Sequence, residues 1–227
     1  MNQKSTSKNT KTPWPTKDAM AQVYELKLWG NGESEFYSGD GSHDPKIVAP
    51  YLKVMKEFLN TFKTPLSICD FGCGDFNIGK ELVKFSKYYY AIDIVPKLIK
   101  RNIDTFKFEN LEFHCLDIGK DNLPKADCVI IRQVLQHLSN ADIQCVVKKL
   151  GIYKYAVLTE HLPVNEFEAN KDIISGQGIR LKKNSGVNLL VPPFNFKVKE
   201  EKELLRIVLN GSDGVIVTTL YEMIRRD

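Results

Sequence analysis

The stretch Leu66-Ser67-Ile68-Cys69-Asp70-Phe71-Gly72-Cys73-Gly74-Asp75-Phe76 decides the fold. Leu66–Phe71 is a short apolar run of strand length that carries Asp70 near its end and then breaks into a glycine turn. Gly72 and Gly74 let a backbone turn tightly and approach a ligand closely. Ile78–Phe85 follows as a helix candidate, and helix N-termini attract polar and anionic groups. An isolated Gly-x-Gly is also what an ordinary turn looks like, so the reading depends on what lies in register with it.

Downstream, strand and helix patterns alternate. Tyr88–Ile94 reads as a second strand with Asp93 near its end, and Pro96–Phe106 as a helix. Leu111–Leu116 is a third strand, followed at once by Asp117. Cys128–Ile131 is a fourth, Asp142–Leu150 a helix, and Tyr153–Thr159 a fifth strand. Short buried strands separated by helices specify a parallel, doubly wound sheet covered on both faces. Leu204–Leu209 and Val215–Tyr221 then flank Asn210-Gly211-Ser212-Asp213-Gly214, a hairpin turn signal. The expected fold class is therefore α/β, with a seven-stranded, mostly parallel sheet ending in an antiparallel hairpin. Residues 160–200 break the alternation and read as an insertion.

Upstream, Asp44-Pro45 has the pattern of an N-cap and first helical position. Ile47, Val48, Tyr51, Leu52, Met55, Phe58, Leu59 and Phe62 follow at helical spacing, and Pro50 predicts a kink. Leu26–Pro45 is a loop rich in Gly, Ser, Asp and aromatic residues. The chain divides into a flexible leader (1–20), a lid loop with a helix (21–62), and the main domain (63–227).

The 227 residues are 43% hydrophobic and 26% charged, as in an ordinary soluble domain. A net charge of +4, with both signs interspersed, permits an anionic substrate without demanding nucleic acid. No apolar run approaches the about 20 residues of a membrane-spanning helix, and the start of the chain lacks the apolar stretch of a secretory signal. Five cysteines in no metal-binding or disulfide pattern (Cys69, Cys73, Cys115, Cys128, Cys145) fit reduced, mostly buried thiols in a cytoplasmic protein, and no metal site is expected.

Asp70, Asp93 and Asp117 at three successive strand ends, with the glycine turn after the first, point to a nucleotide-type ligand. Ligands of open parallel sheets sit at those ends, and an acid after the second strand can hold both ribose hydroxyls. A dinucleotide fingerprint would need glycine where Asn77 stands, and no Gly-Lys-[Ser/Thr] phosphate loop is present.

Asp70-Phe-Gly-Cys-Gly-Asp-Phe76 resembles motif I of class I S-adenosylmethionine (SAM) methyltransferases. Tyr90-Ala-Ile-Asp93 and Cys115-Leu-Asp117-Ile118 resemble the two motifs that follow. Asp127-Cys-Val-Ile-Ile-Arg-Gln-Val-Leu-Gln-His137-Leu-Ser139 resembles the fourth-strand segment of small-molecule members. The likeness covers residues 60–160 and implies a Rossmann-like methyltransferase fold that binds SAM and releases S-adenosylhomocysteine (SAH). It places Asp70, Gly72 and Gly74 around the methionine end, Asp93 on the ribose, and Asp117 with Ile118 on the adenine. Ile94 and Arg132 are counted with these cofactor contacts. Phe76 stands where family members often carry a third glycine, which predicts altered loop packing over the methionine group.

Methyl transfer requires alignment and water exclusion, and a base when the acceptor carries a proton. His161 and His137, after the fifth and fourth strands, are the candidate bases. Tyr37, His43 and Arg180 are the candidate acceptor-side residues. The Asn/Asp-Pro-Pro-aromatic tetrad of amino-group methylation is missing after the fourth strand, as is a Pro-Cys nucleophile. No basic stripe accompanies them, so small-molecule or saccharide acceptors outrank nucleic acid. Asp172–Arg180 and Val187–Phe196 resemble bacterial enzymes of capsule and surface-polysaccharide biosynthesis, which implies O-methylation of a saccharide or phosphate-type group. An N-methyltransferase, an RNA methyltransferase and a non-catalytic SAM-binding partner protein are the alternatives. The oligomeric state is left open.

Overall fold

The computed structural model describes residues 13–32, 35–209 and 214–224. Seven strands form one sheet: β1 (Ile68–Phe71), β2 (Tyr89–Asp93), β3 (Leu111–Cys115), β4 (Cys128–Arg132), β5 (Tyr155–Leu162), β6 (Glu200–Val208) and β7 (Val215–Glu222). Their order is β3-β2-β1-β4-β5-β7-β6. The first five are parallel, and β7 runs antiparallel between β5 and β6. This is the Rossmann-like methyltransferase architecture expected from the strand pattern. The loop residues Asn210–Asp213 of the expected hairpin turn lie outside the described residues.

Burial follows position in the sheet. All four residues of β1 are buried, whereas the edge strands have no buried residue, β3 being mostly half-buried and β6 largely exposed. A central parallel strand is covered on both faces and reads as a continuous apolar run. Around the sheet lie α1 (Thr16–Glu25), α2 (Pro45–Asn60), the short α3 (Gly79–Leu82), α4 (Pro96–Thr105) and α5 (Asn140–Leu150). Two cores result. One gathers Tyr51, Met55 and Leu59 of α2 with Leu82 of α3. The other gathers Met20 of α1, Leu98 of α4, and Ile143 and Val146 of α5.

Local chemistry sets the helix ends. Asp44 caps α2 by accepting from the Lys46 amide at 2.9 Å. Ser139 caps α5 by accepting from the Asp142 amide at 3.2 Å. The kink expected at Pro50 does not interrupt α2, which is helical from Pro45 to Asn60. Its buried Tyr51, Met55 and Leu59 hold it on the sheet, and packing overrides the lost hydrogen bond.

Three expectations need correction. The expected leader, residues 1–20, is already helical from Thr16, and Met20 packs in the core; residues 1–12 lie outside the described residues. Of the five free cysteines, Cys69 and Cys128 are buried, but Cys115 and Cys145 are exposed. Phe76 does adopt the left-handed backbone (φ 64°) that glycine would take without strain. Its ring turns away from the loop's ligand side and packs against Tyr89, Phe106 and Phe113, at centroid distances of 5.7, 5.2 and 4.8 Å. Burial of the whole ring offsets the strained backbone. Phe76→Ala keeps the strain and forfeits the packing, so it should cost about 3–5 kcal/mol in urea denaturation; a loss below about 1 kcal/mol would show that the ring does not anchor the loop.

Candidate active site

A cavity of about 480 Å³ opens at the carboxyl ends of β1 to β4. Strand order reverses between β1 and β4, where open sheets bind their ligands. The segments after the four strands line it: Gly72–Gly74 after β1, Asp93 and Ile94 within and after β2, Leu116–Gly119 after β3, and Arg132–Val134 at and after β4. Thr16, Met20 and Tyr24 of α1, the loop Ser38–Ser42, Gln136–Leu138 and Gln177–Ile179 contribute further wall.

The glycine turn is pressed from two sides. Gly72 (φ 70°) lies so close to Val134 that a Cβ would overlap its side chain, and a Cβ on Gly74 (φ 55°) would overlap Ser38 Oγ. Ser38 and Asp75 clasp each other: the Ser38 amide donates to Asp75 Oδ2 at 2.9 Å, and the Asp75 amide donates to Ser38 Oγ at 2.8 Å. From below, Asn102 Nδ2 donates to the Gly74 carbonyl at 2.7 Å, and Arg101 to the Asp75 carbonyl at 3.0 Å.

The acids form a row along one wall. Asp93, 8% exposed, accepts from the Gly74 amide at 3.1 Å and the Val95 amide at 3.0 Å. Burial pushes its carboxyl up to about 6, against the pull of those amides. Asp70 accepts from the Tyr89 hydroxyl at 2.9 Å, and burial pushes it up to about 7. Asp117 accepts from the Gly119 amide at 2.9 Å. Ile94, Leu116, Ile118 and Val146 supply apolar surface beside these carboxyls. Acceptors for hydroxyls next to an apolar slot are the donor set a nucleoside needs, so the residues present fit an adenosine-containing cofactor.

All the expected cofactor residues line this cavity: Asp70, Gly72, Gly74, Asp93, Ile94, Asp117, Ile118 and Arg132. Arg132 is also a strut. Its guanidinium donates to Ser42 Oγ at 3.2 Å and to the Gly41 carbonyl, and lies 4.7 Å from the Tyr51 ring centroid. It thereby ties the lid loop to β4 and α2.

Of the acceptor-side expectations, His137 alone reaches the cavity. Gln136 accepts from the His161 amide through Oε1 at 3.0 Å, which turns its Nε2 toward His137 Nε2 at 3.2 Å. His137 is then a neutral imidazole that donates from Nδ1 to the Gln177 carbonyl at 3.1 Å. Burial pushes it down to about 4. Trp29 packs on its ring at 5.0 Å.

His161 is absent from the cavity wall, with its ring against Gly214 at the head of β7. Side chains alternate along a strand, and the extension of β5 to Leu162 turns His161 away. Tyr37 and His43 also stand outside the wall. They stack on each other at 4.5 Å, Tyr37 donating to Asp40 and His43 paired with Asp75, both at 2.6 Å. They brace the lid loop, whose backbone between them faces the cavity. Arg180 is 1% exposed and spends its donors inside the protein, on the carbonyls of Lys171, Leu135, Gln136 and Leu138 and on Asn140 Oδ1. It shapes the turn that carries His137, leaving no donor for a substrate.

Sequence reasoning passed over Gln133, Gln136 and the α1 residues Met20 and Tyr24. Nothing local marks them, because α1 and the 177–179 segment reach the cavity only through the fold. Glu160, one residue before His161, was not among the candidates. Glu160 is 3% exposed, and among the described residues neither carboxyl oxygen has a hydrogen-bond partner. Burial pushes it up to about 8, against the pull of the Arg180 guanidinium.

Residues 69–150 match the family described as "Methyltransferase domain". Malonyl-[acyl-carrier protein] O-methyltransferase of Acetivibrio thermocellus is 35% identical over 120 residues, 48% of this chain and 42% of the relative. The chain thus matches about two fifths of that protein's length. Among solved structures, the N-methyltransferase NodS of Bradyrhizobium japonicum, in complex with SAH, aligns with a TM-score of 0.66 at 12% identity, over 92% of this chain and 100% of that one. Human N-acetylserotonin methyltransferase, in complex with SAM, aligns at 0.54 and 16% identity, over 88% and 62%.

Because Glu160 is held by the folded state with a raised proton affinity, stability should fall as pH rises from about 4.5 through 8. Glu160→Gln should remove that slope, raising thermal stability at pH 8.5 and leaving it nearly unchanged at pH 5; an equal effect at both would show that Glu160 stays ionised throughout. Fold and matched segment agree: the chain has a Rossmann-like methyltransferase fold, and residues 69–150 are similar to the methyltransferase domain family.

Proposed function

We propose that this chain is a SAM-dependent O-methyltransferase whose acceptor is a small polar metabolite, a saccharide hydroxyl in surface-polysaccharide assembly. The observation that carries the reading is the row of acids at the carboxyl ends of β1 to β3, the buried Asp70 and Asp93 and the half-buried Asp117, lining one cavity beside the glycine turn. Asp93 would hold the ribose hydroxyls, Asp117 and the Ile118 backbone the adenine, and Gly72–Gly74 the methionine portion. The O-methyltransferase relative supports oxygen as the acceptor atom. The resemblance of Asp172–Arg180 and Val187–Phe196 to capsule enzymes supports a saccharide.

The cofactor would supply a methyl group on a sulfonium sulfur, which keeps the electron pair of the broken S–CH3 bond as the acceptor oxygen takes the methyl. The protein's part is alignment and exclusion of water. Tyr24, Met20 and the Ser38–Ser42 loop close the cavity from the N-terminal side. His137 lines the cavity, and its Nε2 carries no proton in the ground state and accepts from Gln136 Nε2; once that bond gives way, it is the candidate to take the proton of the acceptor hydroxyl. Its depressed basicity suffices, because a hydroxyl becomes strongly acidic as its oxygen takes the methyl group.

Two measurements test the reading. SAH binding followed by calorimetry should weaken below pH 6 as Asp93 takes up its proton, approaching about tenfold per pH unit. Asp93→Asn should weaken binding at pH 8 and remove the part of the pH dependence centred near pH 6, leaving that of Asp70 near pH 7; pH-independent binding by the unmodified chain would remove Asp93 from the ribose site. His137→Asn should bind SAH normally and lose about 10²- to 10⁴-fold in turnover, whereas His161→Asn should turn over normally. The reverse pattern would return the base to His161.

A further inference from the structure

One cavity residue is held in an unfavourable backbone conformation with its polar end unused. Gln133, directly after β4, has φ 55°, a left-handed conformation that costs a non-glycine residue free energy. Its amide donates to the Thr159 carbonyl at 2.7 Å, which ties the strained residue to β5. The side chain lines the cavity. Among the described residues, no hydrogen bond is made by its carboxamide. The other two cavity glutamines differ: Gln136 is committed to His161 and His137, and Gln177 donates to the Leu28 carbonyl at 2.8 Å.

What holds the Gln133 carboxamide is steric. Gly41 of the lid loop lies directly against it, so closely that a Cβ there would overlap Oε1. The group is therefore positioned by packing, with both its donor and its acceptor ends left for a ligand. Position in the sheet says which ligand. Across the sheet edge the cavity passes Asp117 after β3, Asp93 ending β2, Gly72 after β1, and then Gln133 after β4. The first three are the nucleoside and methionine positions of the reading above, on which this inference rests. Gln133 stands one strand further, on the acceptor side.

We infer that Gln133 is the acceptor-binding residue, its carboxamide hydrogen-bonding the hydroxyl that receives the methyl group and a neighbouring hydroxyl of the same molecule. A neutral group that both donates and accepts suits a polyol or sugar. Beside it the cation Arg132 is engaged with Ser42, Gly41 and Tyr51; Lys182 is the cavity-lining cation that would serve a carboxylate or phosphate instead. A residue kept strained for binding should also stabilise the fold when it is replaced by one that tolerates the conformation.

The test uses Gln133→Gly and Gln133→Asn in the full chain, with three readouts: melting temperature, SAH affinity by calorimetry, and tritiated methyl transfer from SAM to a panel of methyl glycosides. Gln133→Gly should melt about 2–4 °C higher and bind SAH within about twofold of the unmodified chain. It should lose about tenfold to a hundredfold in kcat/KM toward the best glycoside. Gln133→Asn, which keeps a shorter carboxamide, should lose less. A lower melting temperature for Gln133→Gly would make the residue structural, and unchanged transfer would take the carboxamide away from the acceptor. SAH binding by the unmodified chain without transfer to any glycoside would overturn the hydroxyl assignment. Failure to bind SAH at all would instead remove the cofactor reading beneath it.

Discussion

The Asp75 carboxylate, 4% exposed, joins the two halves of the site. It accepts from the Ser38 amide, pairs with His43 Nε2 and accepts from the Asn77 amide at 3.1 Å, so one side chain clips the N-terminal loop onto the glycine turn. Everything that makes the cavity a closed space follows from this clip. Ser38–Ser42 becomes a wall, Arg132 finds its acceptors on Gly41 and Ser42, and Gly41 comes to rest on Gln133. A buried carboxylate with several donors is strongly held, because its charge is satisfied locally in a medium of low dielectric.

The same region gives up stability for chemistry. Asp70, Asp93 and Glu160 are all held where burial raises their proton affinity, and Gln133 is kept in a left-handed conformation. Isolated, each such feature is unfavourable. The surrounding structure over-determines them through two arginines whose guanidinium groups bond to carbonyls and side-chain oxygens of the protein. Arg132 spans from β4 to the lid, and Arg180 collects the carbonyls of the 135–138 turn beneath His137. The guanidinium fork suits this role because its five donors diverge in fixed directions.

The strand ends were legible because they depend on near neighbours in the chain. An acid followed by a glycine turn is a local pattern, and its periodic recurrence at Asp70, Asp93 and Asp117 required no knowledge of contacts. The histidines and Arg180 were legible only as chemistry. Whether His161 or His137 meets the cavity depends on how far β5 extends, and Arg180 looked like a ligand residue until its acceptors were visible. Tyr37 and His43 were correctly tied to the lid loop, but they brace it from behind.

The sequence by itself determined the sheet, its parallel core, the closing antiparallel pair and the acids at the carboxyl ends, because side-chain periodicity and turn chemistry act over a few residues. Only the tertiary structure decided which polar groups are spent and which remain available. Three of the four carbonyls that consume Arg180 lie 42 to 45 positions away in the chain, and Gln133 keeps its carboxamide uncommitted under a glycine from the N-terminal segment. A hydrogen-bonding group's availability is set by every neighbour the fold brings to it, and those neighbours are distant in the chain.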